Sequence, residues 1–268
     1  MRVVFLIYLF IASSLTFSLT TQGKVVSTTV QPSAIPTYSY EVINTYPHDN
    51  QAFTQGLFFF RNKMYESTGL NGRSSLRFVE LKTGNVRKKI DVEAQYFAEG
   101  MTVIGDQIYQ LTWLSQKGFV YDRKTMKLVK EFAYTGEGWG LTFDGTNLIL
   151  SDGTNDIRFL DPETFEVKRT IHVFANNDSV TPLRNLNELE YIDGFIYANQ
   201  YQTPYILKIS PTSGEVVAKT DITDLYTRSK AKYSETEVPN GIAYDADTRK
   251  IYITGKWWPE LYELQLGQ

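Results

Sequence analysis

The chain has 268 residues, of which 42% are hydrophobic and 14% aromatic, so it can bury a sizeable core in one domain or two. Its net charge is −3, and its basic residues form no run, which argues against a nucleic-acid or anionic-membrane surface. The sequence has no cysteine and only two histidines, His48 and His172. This composition excludes disulfides, thiol catalysis and zinc sites built from cysteine or from three histidines.

The first 22 residues have the features of a secretory signal peptide. Arg2 precedes an apolar run over residues 3–12, and a polar stretch begins at Thr20. We expect residues 1–22 to be removed, residues 23–37 to form a flexible leader, and residues 38–268 to form the folded domain. An uncleaved membrane anchor is the alternative, because the apolar run can be extended to Leu19. Both interpretations place the domain outside the cytosol, secreted or periplasmic.

One pattern recurs five times along the chain: an apolar alternation with period two, a turn, and a second apolar strand. Its aligned apolar positions are Leu57, Met101, Leu141, Leu189 and Ile242. The intervals between them are 44, 40, 48 and 53 residues. A strand-rich period of this length is typical of propeller blades, so we predict an all-β fold, a five-bladed β-propeller.

The two ends of the domain are predicted to share one blade. The last repeat ends near residues 261–264 without its outermost strand, whereas residues 38–45 form a strand that belongs to no repeat. Because an open ring would leave backbone groups unpaired, we expect the N-terminal strand to complete the last blade. Residues 221–232 can form a short helix between the fourth and fifth repeats.

The innermost strands of a propeller begin around one mouth of the ring. Two residues before the aligned apolar positions stand Gln55, Glu99, Trp139, Asn187 and Asn240. A carboxylate, an indole and three amides at one mouth predict a small-molecule pocket with acid/base and hydrogen-bonding groups. Alignment of the second strands also places Trp113 and Trp258 on or beside this mouth.

Other polar residues have plain structural interpretations. Glu188 and Glu190 flank Leu189 and point to the same side of a strand, where a solvent-facing pair is the default expectation. His48 falls in a predicted loop, and no serine or cysteine elbow accompanies it, so we do not expect a catalytic triad. Glu99 alone fits a solvated charge, a partner of Lys256 or a catalytic group.

Six segments resemble the plant and bacterial type of the glutaminyl-peptide cyclotransferase family, and the resemblance extends over about residues 38–266. The segments are Phe-Thr-Gln-Gly-Leu at 53–57, Tyr-Glu-Ser-Thr-Gly at 65–69, Gln-Leu-Thr-Trp at 110–113, and residues 186–191, 240–245 and 254–256. The resemblance implies an exported five-bladed propeller. It also implies an enzyme that converts the N-terminal glutamine of peptides or proteins to pyroglutamate and releases ammonia.

The resemblance further implies roles for individual residues. Glu99 would be the general acid/base, Asn187 a hydrogen-bond donor to the oxyanion, and Lys256 the charge that positions the carboxylate. Gln55 would bind the N-terminal residue of the substrate. The aromatic walls would be Phe53, Phe97, Trp113, Trp139 and Tyr201. Tyr201 stands where the family commonly has tryptophan, and Ala98 stands where it commonly has glycine.

The resemblance implies no cofactor for the reaction and leaves open a structural calcium ion in the central channel. The expected partners are peptides or proteins with N-terminal glutamine, with no nucleic acid, no membrane after signal removal, and a monomeric state. Two alternatives stay open. One is a non-catalytic propeller that binds a peptide or sugar, and the other is a calcium-dependent, lactonase-type propeller that uses Glu99, Asn187 and Asn240 as ligands.

Overall fold

The computed structural model describes residues 34–175 and 178–267. Within these ranges, five sheets are present, each built on antiparallel strands, and their innermost strands contact one another in a closed ring. The predicted all-β, five-bladed propeller is therefore confirmed. The predicted signal peptide, residues 1–22, lies outside the described residues.

The chain enters through two strands and then forms three blades of four strands each, counted outward from the axis. The entering strands are β1 (Thr37–Tyr38) and β2 (Tyr40–Pro47). Blade one contains β3 (Thr54–Phe60), β4 (Lys63–Thr68), β5 (Ser75–Val79) and β6 (Val86–Asp91). Blade two contains β7 (Ala98–Ile104), β8 (Gln107–Thr112), β9 (Lys117–Asp122) and β10 (Leu128–Ala133). Blade three contains β11 (Leu141–Phe143), β12 (Leu148–Ser151), β13 (Asp156–Leu160) and β14 (Val167–His172).

The remaining chain forms the last two blades and the helix between them. Two short strands, β15 (Phe174–Ala175) and β16 (Asp178–Pro182), extend the outer edge of blade four. Blade four contains β17 (Leu186–Ile192), β18 (Phe195–Gln200), β19 (Tyr205–Ile209) and β20 (Glu215–Asp221). The predicted helix is observed as α1 (Thr223–Lys232), and blade five follows as β21 (Pro239–Asp245), β22 (Lys250–Gly255) and β23 (Glu260–Leu266). The residues that the structure describes include no helix with the length and apolarity needed to cross a membrane.

The N-terminal strand closes blade five, as the sequence predicts. Strand β2 pairs antiparallel with β23, from Tyr40 opposite Leu266 to Pro47 opposite Glu260. The strand begins at Tyr40, two residues later than expected. The preceding strand β1 instead pairs with β20, and Ile35 packs against the core of blade four. The last residues of the predicted leader therefore belong to the propeller.

The hydrophobic core is divided into five clusters, one between each pair of neighbouring blades. The cluster between blades one and five, for example, contains Leu57 and Met64 of blade one together with Tyr252 and Leu261 of blade five. Each blade is thus covered on both faces by its neighbours. This arrangement explains the long apolar stretches of the inner strands, because strands buried on both faces need few polar positions.

Glycines let the inner strands approach one another at the axis. Gly56, Gly100, Gly140 and Gly241 each directly precede an aligned apolar residue. A Cβ atom on Gly100 would lie 2.5 Å from the carbonyl oxygen of Trp139, and one on Gly140 would lie 2.0 Å from that of Asn187. Side chains at these positions would therefore force neighbouring blades apart.

Blade four carries Glu188 at the position where the other blades carry glycine. Its carboxylate accepts hydrogen bonds from the backbone N–H groups of Leu57 in blade one (3.2 Å) and Ile242 in blade five (2.8 Å). Glu190 accepts one from the N–H group of Tyr244 (3.0 Å). Both glutamates are buried, so the expected solvent-facing pair is wrong. Glu188 and Glu190 occupy alternate positions of the innermost strand, which face the central channel. Their hydrogen bonds connect blade four to blades one and five.

The buried Glu190 should make stability depend on pH. Burial raises the pKa of Glu190 to about 8, although hydrogen bonds from Tyr244 and Thr142 favour the charged form. An acid whose pKa is raised by folding stabilises the native state below its unfolded pKa, and this contribution is lost as pH rises towards 8. We expect Glu190→Gln to reduce the fall in melting temperature between about pH 5 and about pH 8.

The measurement is thermal unfolding of both proteins across this pH range, with the exposed Glu166→Gln as the control. Parallel curves for wild type and Glu190→Gln would show that Glu190 does not carry the pH dependence.

Candidate active site

Irregular pairing at the start of the innermost strands turns polar side chains towards one mouth of the channel. The register shifts between Thr54 and Gly56, and comparable shifts occur in the inner hairpins of blades two, four and five. Gln55, Glu99 and Asn187 lie within these stretches. An extra residue in one strand re-aims a side chain without ending the sheet, and such bulges recur beside active sites.

Blade three reaches the same mouth without a bulge. Its innermost strand begins only at Leu141, and Trp139 precedes it. The backbone N–H of Trp139 donates to the carbonyl of Ser151 (2.9 Å), while Gly140 N–H donates to the Ser151 hydroxyl (2.8 Å). These two hydrogen bonds hold the segment that presents Trp139.

The re-aimed side chains surround a cavity of about 220 Å³. Its lining residues are Phe53, Gln55, Leu70, Phe97, Glu99, Trp113, Trp139, Asn187, Tyr201 and Lys256. The structure thus brings together all nine site residues predicted from the sequence and adds Leu70. Asn240, also expected at this mouth, does not line the cavity.

Asn240 supports the pocket from behind through a chain of amide hydrogen bonds. Its Nδ2 donates to Gln55 Oε1 (3.0 Å) and to the carbonyl of Thr54 (3.1 Å). Gln55 Nε2 in turn donates to Glu99 Oε1 (3.1 Å). Because Gln55 accepts with its oxygen and donates with its nitrogen, its amide orientation is fixed. This series of hydrogen bonds fixes one carboxylate oxygen of Glu99, whereas the other oxygen, Oε2, has no protein partner among the described residues.

Glu99 and Lys256 are the charged groups that line the pocket. Glu99 is 5% exposed, and burial raises its pKa well above the usual range. The Lys256 ammonium opposes this rise, and the Glu137 carboxylate adds to it. Burial also lowers the pKa of Lys256, against the attraction of Glu99 and Glu237. A buried carboxyl group with a raised pKa beside a lysine is a candidate acid/base group.

Lys256 is held by aromatic faces. Its Nζ lies 4.7 Å from the ring centroid of Phe53 and 5.1 Å from that of Tyr201, and in the described part of the chain it forms no direct ion pair with Glu99. Aromatic faces attract a cation while keeping water away from it. The ammonium therefore lies in the pocket against aromatic rings and without an ion-pair contact to the carboxylate.

Aromatic side chains form two edge-to-face sets along the pocket walls. Phe97 packs against Phe53 and Trp113, with ring centroids 6.2 and 5.7 Å apart, and Trp139 packs against Tyr201 at 5.7 Å. Edge-to-face packing fixes the planes of the rings. The site therefore offers rigid apolar walls to the stem of a ligand.

Glu137 connects the two sets and was missed in the sequence analysis. Its Oε2 accepts hydrogen bonds from Nε1 of Trp113 (2.6 Å) and from Nε1 of Trp139 (2.9 Å). The available signal was an acidic residue between Gly136 and Gly138, two positions before a tryptophan predicted at the mouth. One carboxylate oxygen thus orients both indole walls.

Removing this carboxylate should loosen both tryptophans. Hydrogen bonds to a charged group contribute about 1.5–3 kcal/mol, so we expect Glu137→Ala to lower kcat/KM about 10-fold or more on a substrate of the pocket. Glu137→Gln keeps an oxygen that can accept both bonds and should retain most of the activity. Steady-state kinetics together with tryptophan fluorescence check this, with the exposed Glu163→Ala as the control. Equal losses in the Ala and Gln variants would contradict the orienting role.

Two other sequence interpretations have different outcomes. Trp258, placed on or beside the mouth, is fully buried in the core between blades four and five, where its Nε1 donates to the carbonyl of Glu237 (2.7 Å). That placement was wrong, because the Trp258 ring packs into the core between the two blades instead of facing the mouth. Trp257 packs against the wall residue Phe53, at a centroid distance of 5.0 Å. His48 pairs with Glu66 (2.9 Å), which leaves it a structural residue, as expected.

The described residues contain no cluster of three or more His, Cys, Asp or Glu side chains arranged to hold a metal ion. The fold and the pocket therefore define a class: a five-bladed β-propeller with a buried carboxylate, amides, a lysine and aromatic walls at one mouth of its channel.

The sequence profile of the glutamine cyclotransferase family matches residues 12–266, so the chain belongs to this family. The chain is 41% identical over 231 residues to glutaminyl-peptide cyclotransferase of Arabidopsis thaliana, which covers 85% of this chain and 71% of that protein.

Solved structures agree with this assignment. The crystal structure of Myxococcus xanthus glutaminyl cyclase superposes with a TM-score of 0.80 at 33% identity, covering 87% of this chain and 98% of that chain. The β-propeller domain of Cps50 from Myceliophteria thermophila reaches a TM-score of 0.50 at 9% identity, covers 84% of this chain and 99% of that chain, and shares the fold alone. The family predicted from the sequence motifs is therefore confirmed.

Proposed function

We propose that this protein is a glutaminyl-peptide cyclotransferase, which converts the N-terminal glutamine of peptides or proteins to pyroglutamate and releases ammonia. The observation that carries the proposal is Glu99, a buried carboxyl group in a pocket that also supplies an amide, an ammonium and aromatic walls. The cavity of about 220 Å³ suits a single amino-acid residue. Two relatives carry the names of this activity.

The reaction needs little covalent help from the protein. The α-amine of the substrate attacks its own side-chain amide carbon, a C–N bond forms in a five-membered ring, and the bond to the departing NH2 breaks. Because the two groups are tethered, holding one rotamer supplies much of the rate, and effective molarities of about 10⁵ M or more are accessible. In the proposed mechanism, the cavity-lining Phe53, Phe97 and Trp139 contact the glutamine stem and exclude water that would otherwise hydrolyse the amide.

In the proposed mechanism, Glu99 moves the proton between the two nitrogens. Its ionised form takes a proton from the attacking amine and returns it to the departing NH2 group, so no net proton is consumed by the enzyme. Such acid/base catalysis contributes about 10²- to 10⁴-fold. Burial favours the protonated carboxyl group, whereas the nearby Lys256 ammonium favours the ionised form that must start the cycle.

In the proposed mechanism, Asn187 stabilises the oxygen of the tetrahedral intermediate. Its side chain is 2% exposed, it lines the cavity, and its Oδ1 has no hydrogen-bond partner in the described part of the chain. A buried amide left unsatisfied costs free energy unless a ligand completes its hydrogen bonds. We infer that the substrate completes the hydrogen bonds of this amide: an N–H group of the substrate donates to Oδ1, and Nδ2 donates to the developing oxyanion.

Removing the Asn187 amide should therefore affect the chemical step more than binding. We expect Asn187→Ala to lower kcat by about 10²- to 10³-fold, with a smaller change in KM, because the donor acts on charge that develops in the transition state. Initial rates over a range of peptide concentrations separate the two constants. A rise in KM at constant kcat would make Asn187 a binding residue instead.

No metal ion takes part in the proposed reaction. A lactonase-type site would use Glu99, Asn187 and Asn240, but Asn240 does not line the pocket that contains Glu99 and Asn187. A structural calcium ion bound by Glu188 and Glu190 in the channel would have to compete with the backbone N–H groups that donate hydrogen bonds to these carboxylates. We therefore assign these glutamates to blade association.

We further propose that the protein acts outside the cytosol as a monomer. The basic start and apolar run of residues 1–22 support export. Its partners would be peptides or proteins that present a free N-terminal glutamine, with neither nucleic acid nor membrane involved.

The activity is tested by incubating residues 24–268 with a short peptide that begins with glutamine, and with the same peptide N-acetylated. We expect ammonia release and the matching mass loss from the free peptide alone, because acetylation removes the nucleophile. If a correctly folded protein released no ammonia from several glutamine peptides, the non-catalytic binding propeller would be the better interpretation.

A further inference from the structure

A second, polar cavity lies beside the candidate active site, at the same end of blade one. It has a volume of about 290 Å³ and lies against the loop that follows β4 and the ends of β5 and β6. Its charged lining residues are Arg73, Arg77, Lys89 and Asp91. Three cations against one carboxylate make it a positively charged cavity, in contrast to the aromatic pocket next to it.

Two of these cations lie directly opposite each other. Arg77 of β5 and Lys89 of β6 are register partners in the antiparallel pair. Like charges in opposite positions destabilise a sheet. Arg77 is offset by Asp49 (2.8 Å) and Glu66 (3.7 Å), and Lys89 by Asp91 (2.6 Å). These carboxylates therefore neutralise the two opposed cations.

The third cation, Arg73, has no such carboxylate partner among the described residues. Arg73 is exposed at the edge of the cavity, and no described carboxylate forms an ion pair with it. Its backbone, in contrast, is fixed, because its N–H donates to the carbonyl of Leu70 (2.9 Å). The loop thus fixes the backbone of Arg73, while its guanidinium group has no ion-pair partner among the described residues.

Leu70 separates the two cavities and lines both of them. It has a φ of 88°, which is rare for a residue other than glycine, and the Ser74 hydroxyl donates to its carbonyl (2.9 Å). The preceding Gly69 N–H donates to the carbonyl of the wall residue Phe53 (2.8 Å). A strained conformation of this kind persists only when its surroundings hold it, and such positions cluster at functional sites. Leu70 therefore forms a fixed ridge between the aromatic pocket and the cationic cavity.

Resting on the proposed function, we propose that the cationic cavity is a subsite for a carboxylate of the substrate chain beyond its N-terminal glutamine. When the glutamine occupies the aromatic pocket, the next residues of the substrate pass over Leu70. An extended chain advances about 3.3 Å per residue, so the next two or three residues reach the cavity. Arg73 binds the incoming carboxylate there, as an acidic side chain or as the C-terminus of a short peptide. The enzyme thus prefers acidic peptides.

The test compares glutamine peptides of equal length that carry glutamate or alanine at positions two, three and four, all with amidated C-termini. A second alanine peptide with a free C-terminal carboxylate separates the two sources of the charge. The proteins are wild type, Arg73→Ala, Arg73→Glu and a control, Lys82→Ala. Lys82 is exposed on the same blade, in the turn at the opposite ends of β5 and β6.

For wild type we expect kcat/KM about 3- to 5-fold higher on the best glutamate peptide than on its alanine counterpart, through KM, as an exposed ion pair allows. The ratio falls to about one in Arg73→Ala and below one in Arg73→Glu, whereas Lys82→Ala keeps it. A preference for the free-acid peptide alone assigns the cavity to the C-terminal carboxylate.

Equal kcat/KM for all peptides in wild type, or an acidic preference that survives Arg73→Glu, overturns the subsite. Absence of ammonia from every peptide contradicts the proposed function instead, so the two failures are distinguishable.

Discussion

Glu99→Gln is expected to lower kcat by about 10²- to 10⁴-fold while the fold and KM stay close to those of wild type. The substitution keeps the shape of the side chain and an oxygen that can accept the Gln55 hydrogen bond, but it removes the group that exchanges a proton. Steady-state ammonia release from one glutamine peptide measures the loss. Thermal unfolding shows whether the variant is folded.

The matched control is Glu163→Gln, which makes the same change at an exposed position of blade three. Cyclisation by the Glu99 variant at the wild-type rate would show that another group moves the proton. A loss that arises from KM alone would make Glu99 a binding residue.

Removal of the closing strand is expected to have the largest effect on stability. A chain that starts at residue 48 lacks both β1 and β2, exposes the edge of β23, and uncovers the Glu263 side chain that accepts hydrogen bonds from Asn44 (3.0 Å) and Tyr46 (2.6 Å). We expect a loss of about 5 kcal/mol or more in the free energy of unfolding, or about 10–20 °C in melting temperature.

The control is a chain that starts at residue 34 and so keeps both β1 and β2. Differential scanning calorimetry compares the two. An unchanged melting temperature without β2 would mean that the N-terminal strand does not hold the ring closed, against the pairing seen in blade five.

The fold could be predicted from the sequence because each blade repeats the same short pattern. Leu57 and its four counterparts mark buried positions of the innermost strands, and their spacing sets the number of blades. The closing strand followed from a missing edge in the last repeat. Gln55, Glu99 and Asn187 could be grouped because equivalent positions in a ring meet at one mouth.

Contacts between blades could not be predicted from repeats that were considered one at a time. Glu188 and Glu190 were expected at the surface, yet they accept backbone hydrogen bonds from blades one and five. Glu137 lies outside the aligned positions, so its bonds to Trp113 and Trp139 appear only in three dimensions. Such cross-blade pairings depend on geometry rather than on spacing along the chain.

The most direct test of metal-free cyclisation by Glu99 is the rate of ammonia release after dialysis of the wild-type protein against EDTA. We predict that kcat on a glutamine peptide is unchanged, because tethered ring closure and one carboxylate suffice for the reaction. Loss of activity in EDTA that calcium restores, without a change in folding, would contradict this mechanism and favour a metal-dependent site.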